Sequence, residues 1–225
     1  MKLFLLLEGS EQASSAALAD VEKGELLAEL SAGVQSDHLY QLADQLLQET
    51  GFSKEAIKGV AVNAGPGSYT GLRIVASFAK GICAGLDIPL YGISGLRALA
   101  HEYYLRNPEF NGLVVCLLDA RREEVFAAAY HHEKIVLRPS PKILNVDFFH
   151  DFDSFDDYVI IGSGAEKSKP YFGHDRVKFD TSIQATASSL LLELLQKIRL
   201  EEQVNIATFE PDYLKAFYFS SLSKE

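Results

Sequence analysis

Basic runs are missing from this 225-residue chain: 21 lysines and arginines stand against 31 acids, a formal net charge of -10. A protein that grips nucleic acid through its own surface carries a basic face, because phosphate neutralisation supplies most of the affinity. The composition argues against that class, and Arg121-Arg122 is the only adjacent arginine pair. Long apolar runs are missing too. Leu3 to Leu7 is stopped by Glu8, too short for the core of a signal peptide, and nothing approaches the length that spans a bilayer. The expectation is a cytoplasmic chain that meets no membrane. Cysteine is scarce: Cys83 and Cys116 both lie in apolar surroundings and are expected as buried, reduced thiols. No low-complexity linker divides the chain.

What is present suffices for a folded core. The chain is 48% hydrophobic and 23% charged, ordinary for a globular protein. Leu3 to Leu7 reads as a buried strand, Gly9-Ser10 as a turn, and Ser15 to Ala19 and Glu25 to Ser31 as further strands of an antiparallel meander. Leu39, Leu42, Ala43, Leu46 and Leu47 then fall on one helix face, with Ser36 or Asp37 to cap its start and Gly51 beyond its end. Gly59 to Asn63 reads as a short buried strand, followed by a glycine-rich loop and a helix from about Leu72 to Leu86. Pro89 to Tyr91 is expected as a strand, and Ser94 is placed to cap the next helix, which stops before Asn107-Pro108.

The same grammar then recurs. Leu113 to Leu118 reads as an apolar strand, Asp119 to Arg122 as a turn, and Val125 to Tyr130 and Lys134 to Arg138 as strands. Asp147 to Asp157 reads as a loop or short helix whose phenylalanines pack inward while its acids stay solvated. Tyr158 to Ile161 is expected as a strand ending at Gly162-Ser163-Gly164, and Ala187 to Leu200 as a helix. This repeated order predicts an α/β protein of two duplicated halves, residues 1–106 and 107–225, with the last helix free to pack back on the first half. The layout resembles the actin/Hsp70/sugar-kinase (ASKHA) architecture.

Catalytic motifs are mostly lacking. Gly65-x-Gly67-x-x-x-Gly71 is one residue too long for the dinucleotide fingerprint, and Leu72-Arg73 stands where a P-loop needs Lys-Ser/Thr. Gly92-Ile93-Ser94-Gly95 misses the serine-hydrolase spacing by one position. His101-Glu102 has Leu105 where a zinc helix needs its second histidine. His131 and His132 are adjacent on a predicted strand and so expected on opposite faces. With His38, these histidines read as surface or turn residues. No metal site, cofactor or catalytic residue is expected.

The segment Gly65-Pro66-Gly67-Ser68-Tyr69-Thr70-Gly71-Leu72-Arg73 carries a resemblance. With Ala79-Lys80-Gly81, Ile88-Pro89-Leu90 and Ser94-Gly95-Leu96 it is similar to the signature of the TsaB/YeaZ family. Asp119-Ala120-Arg121-Arg122-Glu123-Glu124-Val125-Phe126, Gly162-Ser163-Gly164 and Pro211-Asp212-Tyr213-Leu214-Lys215 match later motifs of that family in order. The similarity is dense from Gly59 to Phe126 and collinear elsewhere. It implies an ASKHA fold and a non-catalytic scaffold role in threonylcarbamoyl-adenosine tRNA modification. The implied partners are a TsaD-type paralogue that does the transfer and a TsaE-type ATPase, with self-association and with tRNA met only through the complex.

Departures from the family pattern bear on the site. Leu7-Glu8-Gly9-Ser10 replaces the usual Ile-Asp-Thr-Ser opening, and Gln35-Ser36-Asp37 replaces His-Ser-Glu. Glu123-Glu124 replaces a usual glycine. Glu8, Ser10 and Asp119 are therefore expected as a vestigial cleft, Glu8 and Asp119 each ending the first strand of its half. The alternative is an active ASKHA-type ATPase or phosphotransferase with its own nucleotide site on those carboxylates. The helix after Arg73 interleaves Ala76, Ala79, Gly81, Ala84 and Gly85 with Ile74, Val75, Phe78 and Ile82. Small residues let helices approach closely, so Leu39, Leu42, Leu46, Ile74 and Phe78 are expected to divide between core and partner contact.

Overall fold

The computed structural model describes residues 1–11, 13–32, 39–145, 147–150, 152, 155–171 and 177–215, with only the main chain of residues 149 and 150. The first half opens with strands β1 (Leu3–Glu8), β2 (Ser14–Asp20) and β3 (Glu25–Ala32), each antiparallel to the one before. Helix α1 (Leu39–Thr50) follows, and Gly51 at φ 73 sits just past its end. Strand β4 (Ile57–Gly65), helix α2 (Tyr69–Leu86), strand β5 (Leu90–Ser94) and helix α3 (Gly95–Arg106) complete this half. Strands β4 and β5 lie parallel to β1, giving the sheet order β3-β2-β1-β4-β5.

The second half repeats the plan strand for strand. Strands β6 (Leu113–Asp119), β7 (Glu124–His131) and β8 (Lys134–Ile143) form the meander. The short helices α4 (Asp147–His150) and α5 (Ala165–Ser168) flank β9 (Tyr158–Ile161), and β10 (Val177–Asp180) follows. The order β10-β9-β6-β7-β8 is the first sheet's order with the second set of numbers, and the parallel and antiparallel pairings match. Helix α6 (Leu191–Arg199) comes last. The fold is the ASKHA type that the repeated order predicts.

Alternation along the central strands distributes the core. Leu3, Leu5 and Leu7 of β1 meet α1 and α2 on one face, while Phe4 and Leu6 meet Ala98, Leu190, Leu191 and Leu194 on the other. Val114, Cys116 and Leu118 of β6 meet Leu96, Leu99, Ala100 and Tyr103, and the alternate residues meet Leu144, Phe148 and Phe152. Fully burying each valine, leucine or phenylalanine among these stabilises by about 1.5–3 kcal/mol relative to exposure. Helix α3 thus touches both halves, and seven of its twelve residues are buried. Helix α6 packs on the first sheet although it follows the second. Both cysteines are buried, and burial pushes the Cys83 thiol up to about 12.

The histidines require two corrections. His101 is not a surface residue; α3 turns it inward, 9% exposed, with Nδ1 3.2 Å from Glu193 on α6 and Nε2 3.5 Å from Glu133. Arg97, one turn earlier, reaches the same two glutamates. His131 and His132 do not diverge. His132 sits in the β7–β8 turn at φ 50, which swings both rings toward Asn111, with contacts of 3.0 and 2.8 Å. His38 and the Gln35-Ser36-Asp37 segment lie outside the described residues. Among the described residues no helix is long and apolar enough to cross a membrane.

Candidate functional site

The glycine-rich loop is built by close main-chain approach. Strand β4 delivers Asn63, whose Oδ1 accepts from the Gly65 N–H at 2.7 Å. Ser68 caps α2, its Oγ accepting from the Gly71 N–H at 3.4 Å, and its own N–H donates to the Ser10 carbonyl at 2.6 Å. A Cβ at Gly71 would stand 1.9 Å from the Gly9 carbonyl oxygen, and one at Gly67 would stand 2.5 Å from that of Ser10. Neither backbone can yield without opening the loop, so both positions demand glycine. On the other side the Asp212 N–H donates to the Ala64 carbonyl at 2.6 Å. The loop is occupied by its own chain, by the β1–β2 turn and by the C-terminal segment. That is the geometry of a junction between chain segments.

Within the loop, Pro66 is buried, Thr70 and Arg73 are exposed, and Leu72 is buried at 1%. The Tyr69 ring lies against Tyr213, centroids 4.6 Å apart. The helix begins at Tyr69, three residues before the position expected from periodicity, because Ser68 supplies the N-cap.

The carboxylates expected in the cleft are engaged separately. Glu8 is 1% exposed. Its Oε1 accepts from the Ser10 N–H at 2.5 Å and its Oε2 from Asn63 Nδ2 at 2.6 Å. Burial raises its pKa above the ordinary carboxylate range, against the opposing effect of those bonds. Asp119 is exposed; its Oδ1 accepts from the Arg121 N–H at 2.8 Å and pairs with Lys167. Lys167 also donates to the carbonyls of Arg122 (2.9 Å) and Glu124 (2.6 Å), filling the inside of the hairpin. Arg121 and Arg122, at φ 67 and 50, project outward from it.

Another carboxylate makes the link between halves. Glu11, in the β1–β2 turn, accepts from Ser163 Oγ, which in turn accepts from the Asp119 N–H at 3.0 Å. Burial raises the Glu11 pKa, with bonds from Ser163 and the Ala185 N–H working against it. Ser15 Oγ accepts from the Ala187 N–H at 2.8 Å, and Glu29 takes the Ser188 N–H at 2.9 Å. Glu11, Ser163 and Lys167 were not legible in the sequence, since turns and a four-residue helix such as α5 carry no periodicity. The one available signal was Ser163 inside the matched glycine turn. Ser94 needs correction as well: it occupies the N-cap position of α3 but makes no side-chain cap bond, and bonds Tyr130 instead.

Leu39, Leu42 and Leu46 of α1 belong to the core, at 2%, 7% and 0% exposure. Ile74 and Phe78 of α2 are half-buried, and Phe78 packs partly against the same core. Val75, Ala76, Ala79 and Cys83 cover the sheet, while Ser77, Gly81, Ala84 and Gly85 are exposed. Among the described residues, a Cβ at Gly81 or Gly85 would meet nothing within 4 Å. The close helix packing expected at these glycines is therefore not supplied by the described residues. Among the described residues, no group of three or more His, Cys, Asp or Glu is placed to hold a metal ion.

Comparison with known proteins bears on the arrangement. A family model described as TsaD, tRNA N6-adenosine threonylcarbamoyltransferase, matches residues 29–141. The tRNA threonylcarbamoyladenosine biosynthesis protein TsaB of Haemophilus influenzae is 31% identical over 131 residues, 58% of this chain and 55% of that protein. The chain thus spans about half the length of the curated relatives it matches. The solved structure of YeaZ from Pseudomonas aeruginosa superimposes with a TM-score of 0.78 at 27% identity, covering 95% of this chain and all of that one. An inorganic polyphosphate/ATP-glucomannokinase from an Arthrobacter strain shares the fold alone, at TM-score 0.51 and 12% identity over 89% of this chain and all of that one.

Proposed function

The chain belongs to the TsaB (YeaZ) family, and from that premise we propose that it is an accessory subunit of tRNA threonylcarbamoyladenosine formation, acting by binding rather than by chemistry. In this reading it supports a TsaD-type paralogue that performs the threonylcarbamoyl transfer. A TsaE-type ATPase and a second copy of the chain are further partners, and tRNA is met through the complex. The reading places the protein in the cytoplasm.

The observation that carries the proposal is the outer side of α2. Gly81 and Gly85 cost a helix about 1 kcal/mol each relative to alanine, and none of the described residues fills the space above them. Half-buried Ile74, Phe78 and Ile82 flank the exposed small residues. Such a surface suits another helix, with small residues at the closest approach and large ones interdigitating. The cleft supports the same conclusion. Glu8, where a working ASKHA enzyme presents a carboxylate, has both oxygens bound inside the protein. Function rests on the site and not on the fold. The ATPase or phosphotransferase alternative would require Glu8 to turn outward and break both bonds. ATP binding abolished by Glu8→Ala would establish that alternative. Charge substitutions Ile74→Glu and Phe78→Glu test the leading proposal: they are expected to abolish association with a TsaD-type protein, and an intact complex would refute it.

A further inference from the structure

The C-terminal motif Pro211-Asp212-Tyr213-Leu214-Lys215 and the hairpin Asp119–Glu124 have no part in the proposal above, yet the structure ties them together. The segment from Val204 to Lys215 starts on the first half. Val204 bridges Leu90 at the edge of the first sheet, its N–H donating to the Leu90 carbonyl at 2.9 Å. Val204, Ile206 and Phe209 pack on the first core, and the Phe209 ring fills the space beside Gly92, where a Cβ would stand 2.9 Å away. Lys80 of α2 reaches over and donates to the carbonyls of Ala207 (3.3 Å) and Phe209 (3.1 Å).

The segment then passes the signature loop and ends on the second half. Asp212 donates to the Ala64 carbonyl, and Tyr213 lies on Tyr69, the first residue of α2. Leu214 packs on the second core. Lys215 pairs with Glu124, donates to the Ala120 carbonyl at 3.1 Å and lies over the Phe126 ring at 5.7 Å. One twelve-residue stretch thus touches the middle of α2, the loop that starts it and the base of the arginine hairpin.

We infer that Val204–Lys215 is a strap whose Tyr213 and Lys215 are positioning residues: they hold the outer face of α2 in register with the Asp119–Glu124 hairpin, so that helix and hairpin meet a protein partner as one rigid surface. The inference rests on the accessory-subunit reading for the identity of that partner, a TsaD-type protein. The physical reason is entropic. A surface made of two elements on different halves binds tightly only when their relative placement is fixed before contact. The hairpin needs such support, because two consecutive non-glycine residues with positive φ persist only where surrounding contacts over-determine them. Lys167 supports it from within, and Lys215 supports it from the α2 side.

The test uses the full chain with Tyr213→Ala and Lys215→Ala, and Tyr213→Phe and Lys215→Arg as conservative controls. Hydrogen exchange is followed at the start of α2 and in the hairpin, and affinity for a purified TsaD-type protein is measured by calorimetry. Each alanine variant is expected to speed exchange at both places together and to weaken binding by about tenfold, within the usual range of coupling between sites. The conservative variants are expected to restore both. Faster exchange confined to Val204–Lys215, or unchanged binding despite loosening at both places, would overturn the strap. Wild-type chain that does not bind the TsaD-type protein would remove the accessory reading instead. Coupled exchange at helix and hairpin would then still decide whether the strap joins them.

Discussion

Gly81→Ala separates what α2 does for this chain from what it does for a partner. Gly81 lies in the interior of an 18-residue helix, and a methyl group there meets no atom of the described residues within 4 Å. Alanine is favoured over glycine in a helix interior by about 1 kcal/mol. For a chain of this size that is a rise in Tm of about 2–4 °C. If a partner helix packs over Gly81, the same methyl overfills the contact, at about 1–3 kcal/mol. That is a loss of about fivefold to more than a hundredfold in affinity. The two assays should therefore move in opposite directions. Thermal melts at two protein concentrations isolate the intrinsic gain from any self-association, and calorimetry against the TsaD-type protein reads the loss. Gly71→Ala is the internal contrast: its methyl would strike the Gly9 carbonyl oxygen, and stability should fall by about 1–3 kcal/mol or more. A lower Tm for Gly81→Ala, or unchanged affinity for the partner, would refute the reasoning.

Two further outcomes follow from buried charges. Glu8 has its pKa raised in the folded chain, so it stabilises fully below the unfolded carboxylate value and that contribution is lost as pH rises through the folded value. Glu8→Gln should accordingly gain Tm relative to wild type as pH rises from 4 to 8, and a difference that moves the other way would show that the carboxylate is favourable where it sits. For Glu193, burial works to raise the pKa, but the hydrogen bond and charge of His101, with Arg97 and Lys197, outweigh it, and the net shift is downward. Its contribution is present above the ordinary value of 4.5 and lost as pH falls through the depressed one. Glu193→Gln should cost about 3 kcal/mol near neutral pH, as breaking a buried pair does. Denaturant titrations should find that cost shrinking on acidification below about pH 4.

The architecture was legible because its signals are periodic. Leu3 to Leu7 and Leu113 to Leu118 announce central strands, and the repeated strand-turn-strand order announces two halves. Strand β10 was not legible: Val177–Asp180 is four residues long and only partly buried, so it lacks both length and alternation. The inward turn of His101 was hidden for a different reason. It depends on Glu193, 92 positions away, and on Glu133 in a hairpin turn, and no local pattern encodes that meeting. The glycine loop identified the family from sequence, yet its mechanics appeared only when Gly9, Ser10 and Asp212 were seen to fill it. Spacing alone excluded a P-loop. It did not show that glycine was needed because main chain abuts main chain. The division of helix residues was half visible: apolar spacing marked both helices, but which leucines face inward was settled by the sheet beneath them.

The most direct measurement reconstitutes threonylcarbamoyl transfer to tRNA from purified TsaD-type and TsaE-type proteins, with and without this chain. The account predicts full modification only when the chain is added, and none restored by a chain carrying Ile74→Glu and Phe78→Glu. Full activity without the chain would contradict the account.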